Sequence, residues 1–322
     1  MLSVIIVNYN QWSLLQACLR SVFEQTRGLD FEVIVIDNAS TDETLAVLPK
    51  EFPKVCLLAN GRNAGFAAAN NQGIRRARGD YVLLLNPDTV VLDGALQKTL
   101  EFMDEHPEAG IAACKLLFPD RSLQRSLYSF PGLWNMICET MFLQKLFPRS
   151  RLFGSYTLTY FDYNSARQVD AACGAFLMIR REVFEGIGLL DEQFYMYSEE
   201  IDFCYRAKRA GYQVWFAPEG VVLHFWGGAT TVSRRVTLWS VGAQMLFFQK
   251  HFSGPLRWTL IGLKFTGVLL RTLVYATGGI VLARRSLLRK SSCYLFAALH
   301  LAGSPWRYKH GYEGSVEPWP RV

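Results

Sequence analysis

The stretches VIIVNYN at residues 4–10 and VIDNASTD at residues 35–42 decide the fold class. Each begins with a short apolar run and ends in polar residues, and a helical pattern follows each, at 11–26 and 41–50. A third helical pattern covers 64–77. Short apolar strands that alternate with helices are typical of βαβ units around a parallel sheet buried on both faces. The predicted strands are Leu2–Val7, Glu32–Asp37, Val55–Ala59 and Tyr81–Leu85.

Polar side chains follow all four predicted strands. Ligands of open α/β sheets bind at the carboxyl ends of the strands, so these side chains are expected to share one site. They are Asn8 after the first strand, Asp37 and Asn38 after the second, Asn60 to Asn63 after the third, and Asn86, Pro87 and Asp88 after the fourth.

Length and composition indicate a folded protein. The 322 residues suffice for one large domain with an accessory region, and half of them are hydrophobic. The seven cysteines are scattered without a metal-binding or redox spacing, which indicates reduced packing residues. The sequence starts without the basic lead or cleavage site of a signal peptide, so we expect the first, folded part of the chain on the cytosolic side.

The net charge of +6 is distributed unevenly along the chain. Residues 234–322 carry 13 Lys and Arg but only two acids, Glu313 and Glu317. These cations alternate with Leu, Phe and Val rather than lying on a polar surface. The pattern therefore predicts an anionic membrane surface as a partner and no nucleic acid.

Four cations of this tail lie in one seven-residue repeat, which places them on one helix face: Arg257, Lys264, Arg271 and Arg285. The longest uncharged stretches after Arg257 are 272–283 and 291–306, with 12 and 16 residues. A spanning helix needs about 20. An amphipathic helix that lies in the membrane interface fits better than a span. The alternative is a helical extension that packs on the catalytic domain through its apolar face.

The middle of the chain is less regular. Residues 119–168 are expected to be loop-rich and to shape one side of the site. After them the sequence predicts a strand at 169–180, a helix from about Ser198 to Ala210, strands at 212–216 and 220–224, and helices in the remainder.

Six motifs occur in one order along the chain: VIIVNYN (4–10), VIDNASTD (35–42), NGRNAGFAAANNQG (60–73), LLLNPDT (83–89), GAFLMIRREVFE (174–185) and FYMYSEEIDFCYRAKRAGY (194–212). Together they resemble family 2 glycosyltransferases of the GT-A fold, in particular the rhamnosyltransferase-like branch. The resemblance covers about residues 1–230. It implies an α/β fold with a mixed, mostly parallel central sheet flanked by helices, followed by a helical extension.

The resemblance also implies an activity and a domain division. The expected reaction is inverting transfer of a sugar, in the first instance rhamnose, from a dTDP or UDP donor to a glycan or lipid-linked acceptor in cell-surface polysaccharide synthesis. The expected domains are a catalytic domain at 1–233 and a helical, membrane-associating region at 234–322. The expected location is peripheral, on the cytoplasmic face of the cell membrane.

Donor binding is expected at the first strand ends. Asn8 lies at the first of them, and Asp37 occupies the position of the family's base-binding Asp, whose carboxylate accepts from the imide N–H of uracil or thymine. Asn38, Ser40 or Thr41 can instead cap the following helix.

A second donor-binding segment runs from Asn63 through Gly65 and Phe66 and includes Asn70. Its small residues let backbone N–H groups at a helix start approach an anionic ligand. Helix capping and tight packing of helix on sheet, with Gly73, are the alternative. By resemblance alone, the backbone N–H groups of Gly174 and Ala175 also contact the donor.

A divalent cation, Mn²⁺ or Mg²⁺, is the expected cofactor. Asn86, Pro87 and Asp88 stand where relatives carry an Asp-x-Asp metal motif, so Asp88 is the carboxylate placed to hold the cation against the diphosphate. His224 resembles the histidine that completes the metal shell in many GT-A enzymes. The alternatives are a proline turn capped by Asp88 and a histidine satisfied within the core.

An acidic cluster opens the predicted helix at Ser198. Acids are favoured in a first helical turn by the helix dipole, and Asp202 can pair with Arg206 one turn later. By resemblance, Glu200 is the catalytic base in a place where Asp is more usual, and Glu199 and Asp202 lie on the acceptor side. Two rival functions remain open: a non-catalytic protein that binds sugar nucleotides, and a nucleotidyltransferase, which would form pyrophosphate.

Overall fold

The computed structural model describes residues 1–225 and 233–302, which form two compact units. The first unit contains Met1–Phe130, Phe161–Glu192 and the described residues from 199 onward to 225. The second contains Pro131–Tyr160, Gln193–Ser198 and residues 233–302. The domain boundary expected after residue 233 stays a prediction, and the acids Glu313 and Glu317 lie outside the described residues.

The first unit is built on a nine-stranded mixed sheet with flanking helices, the predicted fold class. A second, two-stranded sheet pairs β7 (Leu127–Tyr128) with β9 (Ala171–Ala172). The strands of the main sheet are β1 (Leu2–Asn8), β2 (Phe31–Asp37), β3 (Cys56–Ala59), β4 (Tyr81–Leu85), β5 (Thr89–Leu92), β6 (Ala109–Leu117), β8 (Arg167–Val169), β10 (Phe176–Arg180) and β11 (Gln213–His224).

The main sheet has the order β3-β2-β1-β4-β10-β6-β11-β5, with β8 also paired to β11. Strands β3, β2, β1 and β4 are mutually parallel, and β6 is parallel to β11. Strand β10 is antiparallel to β4 and β6, and β5 is antiparallel to β11. As a result, the start of β10 and the ends of β4 and β11 lie at the same edge of the sheet as the end of β1.

The helices of this unit are α1 (Trp12–Gln25), α2 (Thr44–Glu51), α3 (Phe66–Arg76), α4 (Ala95–Glu105), α7 (Arg181–Ile187) and α8 (Glu199–Arg209). In α1, Leu15, Leu19 and Val22 recur at helical spacing and are buried in the main core. In α3, a Cβ at Gly73 would lie 2.6 Å from Cγ2 of Ile5 and 2.8 Å from Cδ1 of Ile36. The close packing of helix on sheet expected at Gly73 is therefore observed.

Two local predictions differ from the structure. The single strand expected at 169–180 is divided, because the chain turns around Gly174 between β9 and β10. The two strands expected at 212–216 and 220–224 form one strand, β11, whose register shifts between Ala217 and Val221. The sequence contains Pro218 and Gly220 at this shift, and both weaken a regular strand.

The second unit is helical, as expected for the tail. Its helices are α5 (Leu133–Thr140), α6 (Leu143–Leu146), α9 (Arg234–His251), α10 (Gly254–Val281) and α11 (Arg285–Ala302). Helix α10 packs against α5, α9 and α11. Nζ of Lys264 and a guanidinium nitrogen of Arg271 lie 3.0 Å and 3.3 Å from Oε1 of Glu139 on α5. Two cations of the predicted stripe therefore face a carboxylate inside this unit.

Candidate active site

The polar side chains expected to meet at one edge of the sheet do meet there. Asn8 and Asp37 are opposite one another in the register of β1 and β2. Phe176 at the start of β10 is opposite Leu85, and His224 at the end of β11 is opposite Thr89. The first unit therefore brings the ends of β1, β2, β4 and β11 into one polar region.

Asn8 and Asp37 form a buried network, and both are 0% exposed. Nδ2 of Asn8 donates to Oδ1 of Asp37, and Oδ2 of Asp37 accepts from the backbone N–H of Ser40. The Ser40 hydroxyl also accepts from the backbone N–H of Asn10. Capping of α2 by Ser40 is not observed, since the hydroxyl orders the loop after β1 instead. The role of Asp37 in base binding stays a prediction.

Asn38 fastens the loop after β3 to the end of β2. Its Nδ2 donates to Oδ1 of Asn63 at 2.8 Å, and its Oδ1 accepts from Asn60 and from the backbone N–H of Ala64. Asn63 in turn accepts from the backbone N–H of Gly65. These bonds hold the loop that leads into α3, and the sequence did not predict this role for Asn38.

The start of α3 needs a glycine. Gly65 has φ +88°, in the left-handed region that other residues adopt at a cost. Asn70 is buried, and its Nδ2 donates to the carbonyl of Phe66 one turn earlier. Gly65 and Asn70 thus shape the first turn of α3, where backbone N–H groups lack partners within the helix and favour anions.

Asp88 and His224 are adjacent. Oδ1 of Asp88 lies 3.3 Å from Nε2 of His224, and Nδ2 of Asn86 lies 3.4 Å from the same nitrogen. The backbone N–H of Phe225 donates to the carbonyl of Asp88, which ties the end of β11 to the turn after β4. The predicted proximity of Asp88 and His224 is therefore present.

The other imidazole nitrogen of His224 contacts a residue that sequence analysis missed. Nδ1 of His224 lies 2.8 Å from Oε1 of Gln124, and Gln124 is 2% exposed. Gln124 follows β6, where its backbone N–H donates to the carbonyl of Leu116. A single glutamine in a loop carries no sequence signal for this position.

Asp88 and His224 have the chemistry to hold a divalent cation. A carboxylate oxygen and an imidazole nitrogen suit Mn²⁺, and substrate phosphates and water commonly supply the other ligands of such cations. Within 1–225 and 233–302, no group of three or more His, Cys, Asp and Glu could hold a metal. The fit is therefore to a cation shared with a diphosphate.

Glu200 lies beside the turn at Gly174. A Cβ placed on Gly174 would be 3.6 Å from Cβ of Glu200 and 3.7 Å from Cε1 of Phe66. Burial, and then the charges of Glu200, Asp88 and Glu199, raise the pKa of the Cys173 thiol to about 12. The carboxylates of Glu200 and Asp88 are therefore both close enough to act electrostatically on one thiol at this edge.

Glu199 is more deeply buried than its neighbour Glu200. It is 5% exposed, and its Oε2 has no hydrogen-bond partner among the described residues. Burial, followed by the charge of Glu200, raises the pKa of Glu199 well above its ordinary value. The neutral, protonated form of Glu199 is thus favoured over its ionised form.

Asp202 forms the predicted pair with Arg206. Oδ2 of Asp202, which is 0% exposed, accepts from Nε of Arg206 at 2.9 Å. The same guanidinium donates to the carbonyls of Ile187 and Leu189. Asp202 therefore fixes α8 to the segment after α7, and its role on the acceptor side stays a prediction.

The chain enters α8 through an unusual turn. Tyr197 and Ser198 have φ values of 71° and 64°, so two consecutive non-glycine residues are left-handed. Such residues cost about 1–3 kcal/mol each and cluster at functional sites. The turn directly precedes Glu199 and Glu200 in the chain.

The first unit thus has a polar edge at the ends of parallel strands, with a paired Asp and His and a nearby carboxylate. The chain belongs to glycosyl transferase family 2, whose pattern matches residues 3–188. It is 27% identical over 277 residues to an N-acetylglucosaminyl-diphospho-decaprenol L-rhamnosyltransferase of Mycobacterium tuberculosis, covering 81% of this chain and 89% of that protein. It is also 29% identical to the O-antigen biosynthesis protein RfbC of Myxococcus xanthus, covering 69% of this chain but 17% of that protein.

Solved structures of glycosyltransferases have the same fold. The mannosyltransferase PcManGT from Pyrobaculum calidifontis, in complex with GDP-Man and Mn²⁺, aligns with a TM-score of 0.57 at 14% identity, covering 92% of this chain and 86% of that one. GalNAc-T7 with UDP, GalNAc and Mn²⁺ aligns with a TM-score of 0.54 at 19% identity, covering 70% of this chain and 43% of that one. At these identities the likeness establishes the GT-A fold alone.

Proposed function

We propose that this protein is an inverting, cation-dependent glycosyltransferase that moves a sugar from a nucleotide diphosphate donor to an acceptor hydroxyl. The observation that carries the proposal is the position of Glu200 beside Gly174, at the sheet edge that also holds Asp88 and His224. A carboxylate base and a pair of cation ligands at one edge are the groups that this transfer needs.

Glu200 accepts the proton of the acceptor hydroxyl as the hydroxyl oxygen attacks the anomeric carbon. The bond from that carbon to the diphosphate oxygen breaks, and the diphosphate leaves with the electron pair. Asp88 and His224 would hold a divalent cation, which would supply positive charge to the diphosphate. Because a direct displacement needs no covalent intermediate, the anomeric configuration inverts. Protonated Glu199 adds no charge that would repel the donor.

The proposed donor is dTDP-rhamnose, and the proposed acceptor is a lipid-linked or polymeric glycan. Both proposals draw support from the mycobacterial relative, whose name states an L-rhamnosyltransferase and an N-acetylglucosaminyl-diphospho-decaprenol. UDP-sugars are the second donor class to be tested. Asn8, Asp37 and the start of α3 are the proposed contacts for the nucleotide.

Measuring the released product with purified full-length protein tests the proposal. In the presence of Mn²⁺ and acceptor, dTDP-rhamnose should yield dTDP over many turnovers, and a screen of UDP-sugars under the same conditions tests donor choice. Donor binding without turnover would favour a non-catalytic binding protein. Release of pyrophosphate would favour a nucleotidyltransferase, and equal rates with EDTA and with Mn²⁺ would contradict cation dependence.

We further propose that the second unit binds the cytoplasmic face of the cell membrane as a peripheral contact. Its described residues contain 13 Lys and Arg and a single acid, Glu139. Such a charge favours anionic lipid by about 1 kcal/mol for each Lys or Arg near the surface. The cysteines, all free thiols, support a reducing compartment.

Exposed apolar side chains are concentrated in the same unit. In the first unit, the exposed large apolar residues are Met1 and Leu45, whereas the described part of the second unit has many more. They are Leu133, Trp134, Met141, Leu146, Phe147, Leu152, Leu256, Trp258, Leu269, Leu273, Val274, Ile280, Val281, Leu282, Leu288, Leu295 and Leu299. Exposed cations accompany them at Arg149, Arg284, Arg285 and Arg289. A mixed apolar and cationic surface of this kind suits the membrane interface.

The structure changes which residues are proposed to contact lipid. Lys264 and Arg271 are occupied by Glu139, so the apolar side chains of α10 replace them as the proposed contact. By length and composition alone, α10 is also long and apolar enough to cross a membrane. Full-length protein should sediment with anionic vesicles and be released by alkaline carbonate. Retention after carbonate would indicate a span, and indifference to vesicles would contradict membrane binding.

A further inference from the structure

Gln124 holds the imidazole of His224 from the side opposite Asp88. Oε1 of Gln124 lies 2.8 Å from Nδ1 of His224, while Oδ1 of Asp88 lies 3.3 Å from Nε2. All three residues belong to the first unit. The ring is therefore fixed at both nitrogens by groups that come from different segments of the chain.

A carbonyl oxygen can only accept a hydrogen bond, so contact with Oε1 requires that Nδ1 of His224 carries the hydrogen. In the neutral ring, the lone pair is then on Nε2, the nitrogen that faces Asp88 and Asn86. Histidines that bind metals commonly donate their other N–H to a carboxylate or carbonyl, and this bond fixes the tautomer and the ring orientation.

Packing alone does not account for a glutamine at this position. Gln124 is 2% exposed, and its Nε2 has no partner among the described residues. A buried amide that leaves two N–H hydrogens without partners is destabilising compared with an apolar side chain of the same shape. The contact of Oε1 with His224 is the interaction that an apolar residue cannot replace.

We propose that Gln124 is a positioning residue that sets the orientation and tautomer of His224, so that Nε2 and Asp88 together bind a divalent cation. This inference rests on the cation dependence in the proposed function. Mn²⁺ binding tests it without turnover. The affinity of the full-length protein for Mn²⁺, alone and with dTDP to supply the diphosphate, can be measured by calorimetry and by electron paramagnetic resonance.

Three variants separate positioning from folding. Gln124→Leu removes the acceptor at similar size and should weaken Mn²⁺ binding about 10- to 100-fold, the usual effect of losing such a partner. Gln124→Glu keeps an acceptor oxygen and should retain binding. Gln244→Leu is the matched control, since Gln244 is 7% exposed and donates to Tyr156 in the second unit. Its Mn²⁺ affinity should be unchanged.

Circular dichroism and the melting temperature are measured for each variant to check that it is folded. If Gln124→Leu does not fold, Gln124→Asn, which shortens the side chain by one methylene, replaces it with the same expected loss. Unchanged Mn²⁺ affinity in a folded Gln124→Leu would overturn the proposal, as would equal losses in Gln124→Glu and Gln124→Leu. Absence of Mn²⁺ binding by the unsubstituted protein, both alone and with dTDP, would instead contradict the cation dependence of the proposed function.

Discussion

Nε2 of His224 lies 3.3 Å from Oδ1 of Asp88, although the two residues are far apart in the sequence. The antiparallel pairing of β11 with β5 produces this proximity, because His224 is opposite Thr89, the residue directly after Asp88. The pair therefore depends on the register of two strands rather than on a local loop.

Asp88→Asn should reduce transfer at least 100-fold and weaken donor binding in Mn²⁺, with an unchanged melting temperature. The substitution removes the negative charge that faces His224 but keeps the size of the side chain. Rates of nucleotide release and calorimetry measure the two effects. Asp93→Asn is the control, since Asp93 is exposed and its φ of 44° suits Asn. Equal losses in both variants would argue against a specific role.

Glu200→Gln should bind donor normally and lose about 100-fold or more in turnover, as expected when a general base is removed. Glu199→Gln is its neighbour control and should retain most of the turnover, because Glu199 is buried and favours its neutral form. Single-turnover rates at saturating donor compare the two. The reverse pattern would assign the catalytic base to Glu199.

Glu199→Gln should also change how stability depends on pH. The raised pKa of Glu199 contributes stability that is fully present below its ordinary value of 4.5 and is lost as pH rises through the folded-state pKa. The glutamine of the variant has no ionisable group at position 199. Its unfolding free energy should therefore fall less than that of the unsubstituted protein as pH increases, and urea unfolding from pH 4 upward measures the difference. If the unfolding free energies of the two proteins depend on pH in the same way, the pKa of Glu199 is not raised, and the prediction is wrong.

Glu139→Gln should destabilise the second unit by about 2 kcal/mol, because it leaves Lys264 and Arg271 without their shared carboxylate. Burial alone raises the pKa of Glu139, but the charges of Lys264 and Arg271 lower it below its ordinary value. The stability that ionised Glu139 contributes is present above its ordinary pKa of 4.5 and is lost as pH falls through the folded-state pKa. Urea unfolding at pH 7 should show the loss, whereas Arg285→Ala, at an exposed site, should show little change.

Replacing Trp258, Leu273 and Ile280 with Ser should weaken vesicle binding without loss of donor binding. These side chains are 64%, 63% and 73% exposed on α10, so their removal costs the folded chain little. Cosedimentation with anionic vesicles measures the effect. Leu45→Ser, at an exposed apolar site of the first unit, should bind vesicles as the unsubstituted protein does. If the triple variant binds vesicles as well as the unsubstituted protein does, these α10 side chains are not the membrane contact.

The alternating half of the fold could be predicted because each element carries its own local signal. The predicted strand at Tyr81–Leu85 coincides with β4, and the predicted helix at 11–26 coincides with α1 to within one residue at each end. Apolar runs with helical patterns between them are sufficient for this part. The break at Gly174 had no such signal, since the apolar residues continue through it, and the turn depends on pairing with distant strands.

The candidate site could be predicted in part. Asn8, Asp37 and Asp88 could be predicted as site residues because ligands of open α/β sheets bind at the carboxyl ends of the strands. This prediction needs only the ends of the strands. The contact of His224 with Asp88 and Asn86 needed the pairing of β11 with β5, and Gln124 needed the chain reversal after β6. The burial that separates Glu199 from Glu200 also depends on tertiary packing, since the two acids are adjacent in sequence.

The carboxamide network around Asn38 contains a site that is prone to deamidation during storage. Asn60, which donates to Oδ1 of Asn38, precedes exposed Gly61, and an Asn followed by Gly readily cyclises to a succinimide and hydrolyses to Asp or isoAsp. The reaction replaces the donating amide with a carboxylate that faces the Asn38 oxygen. The loop that leads into α3 would lose one of its hydrogen bonds to Asn38 at the end of β2, while the core below it stays packed. Storage should therefore deplete donor binding before it lowers the melting temperature, and Asn60→Ser should slow that chemical decay.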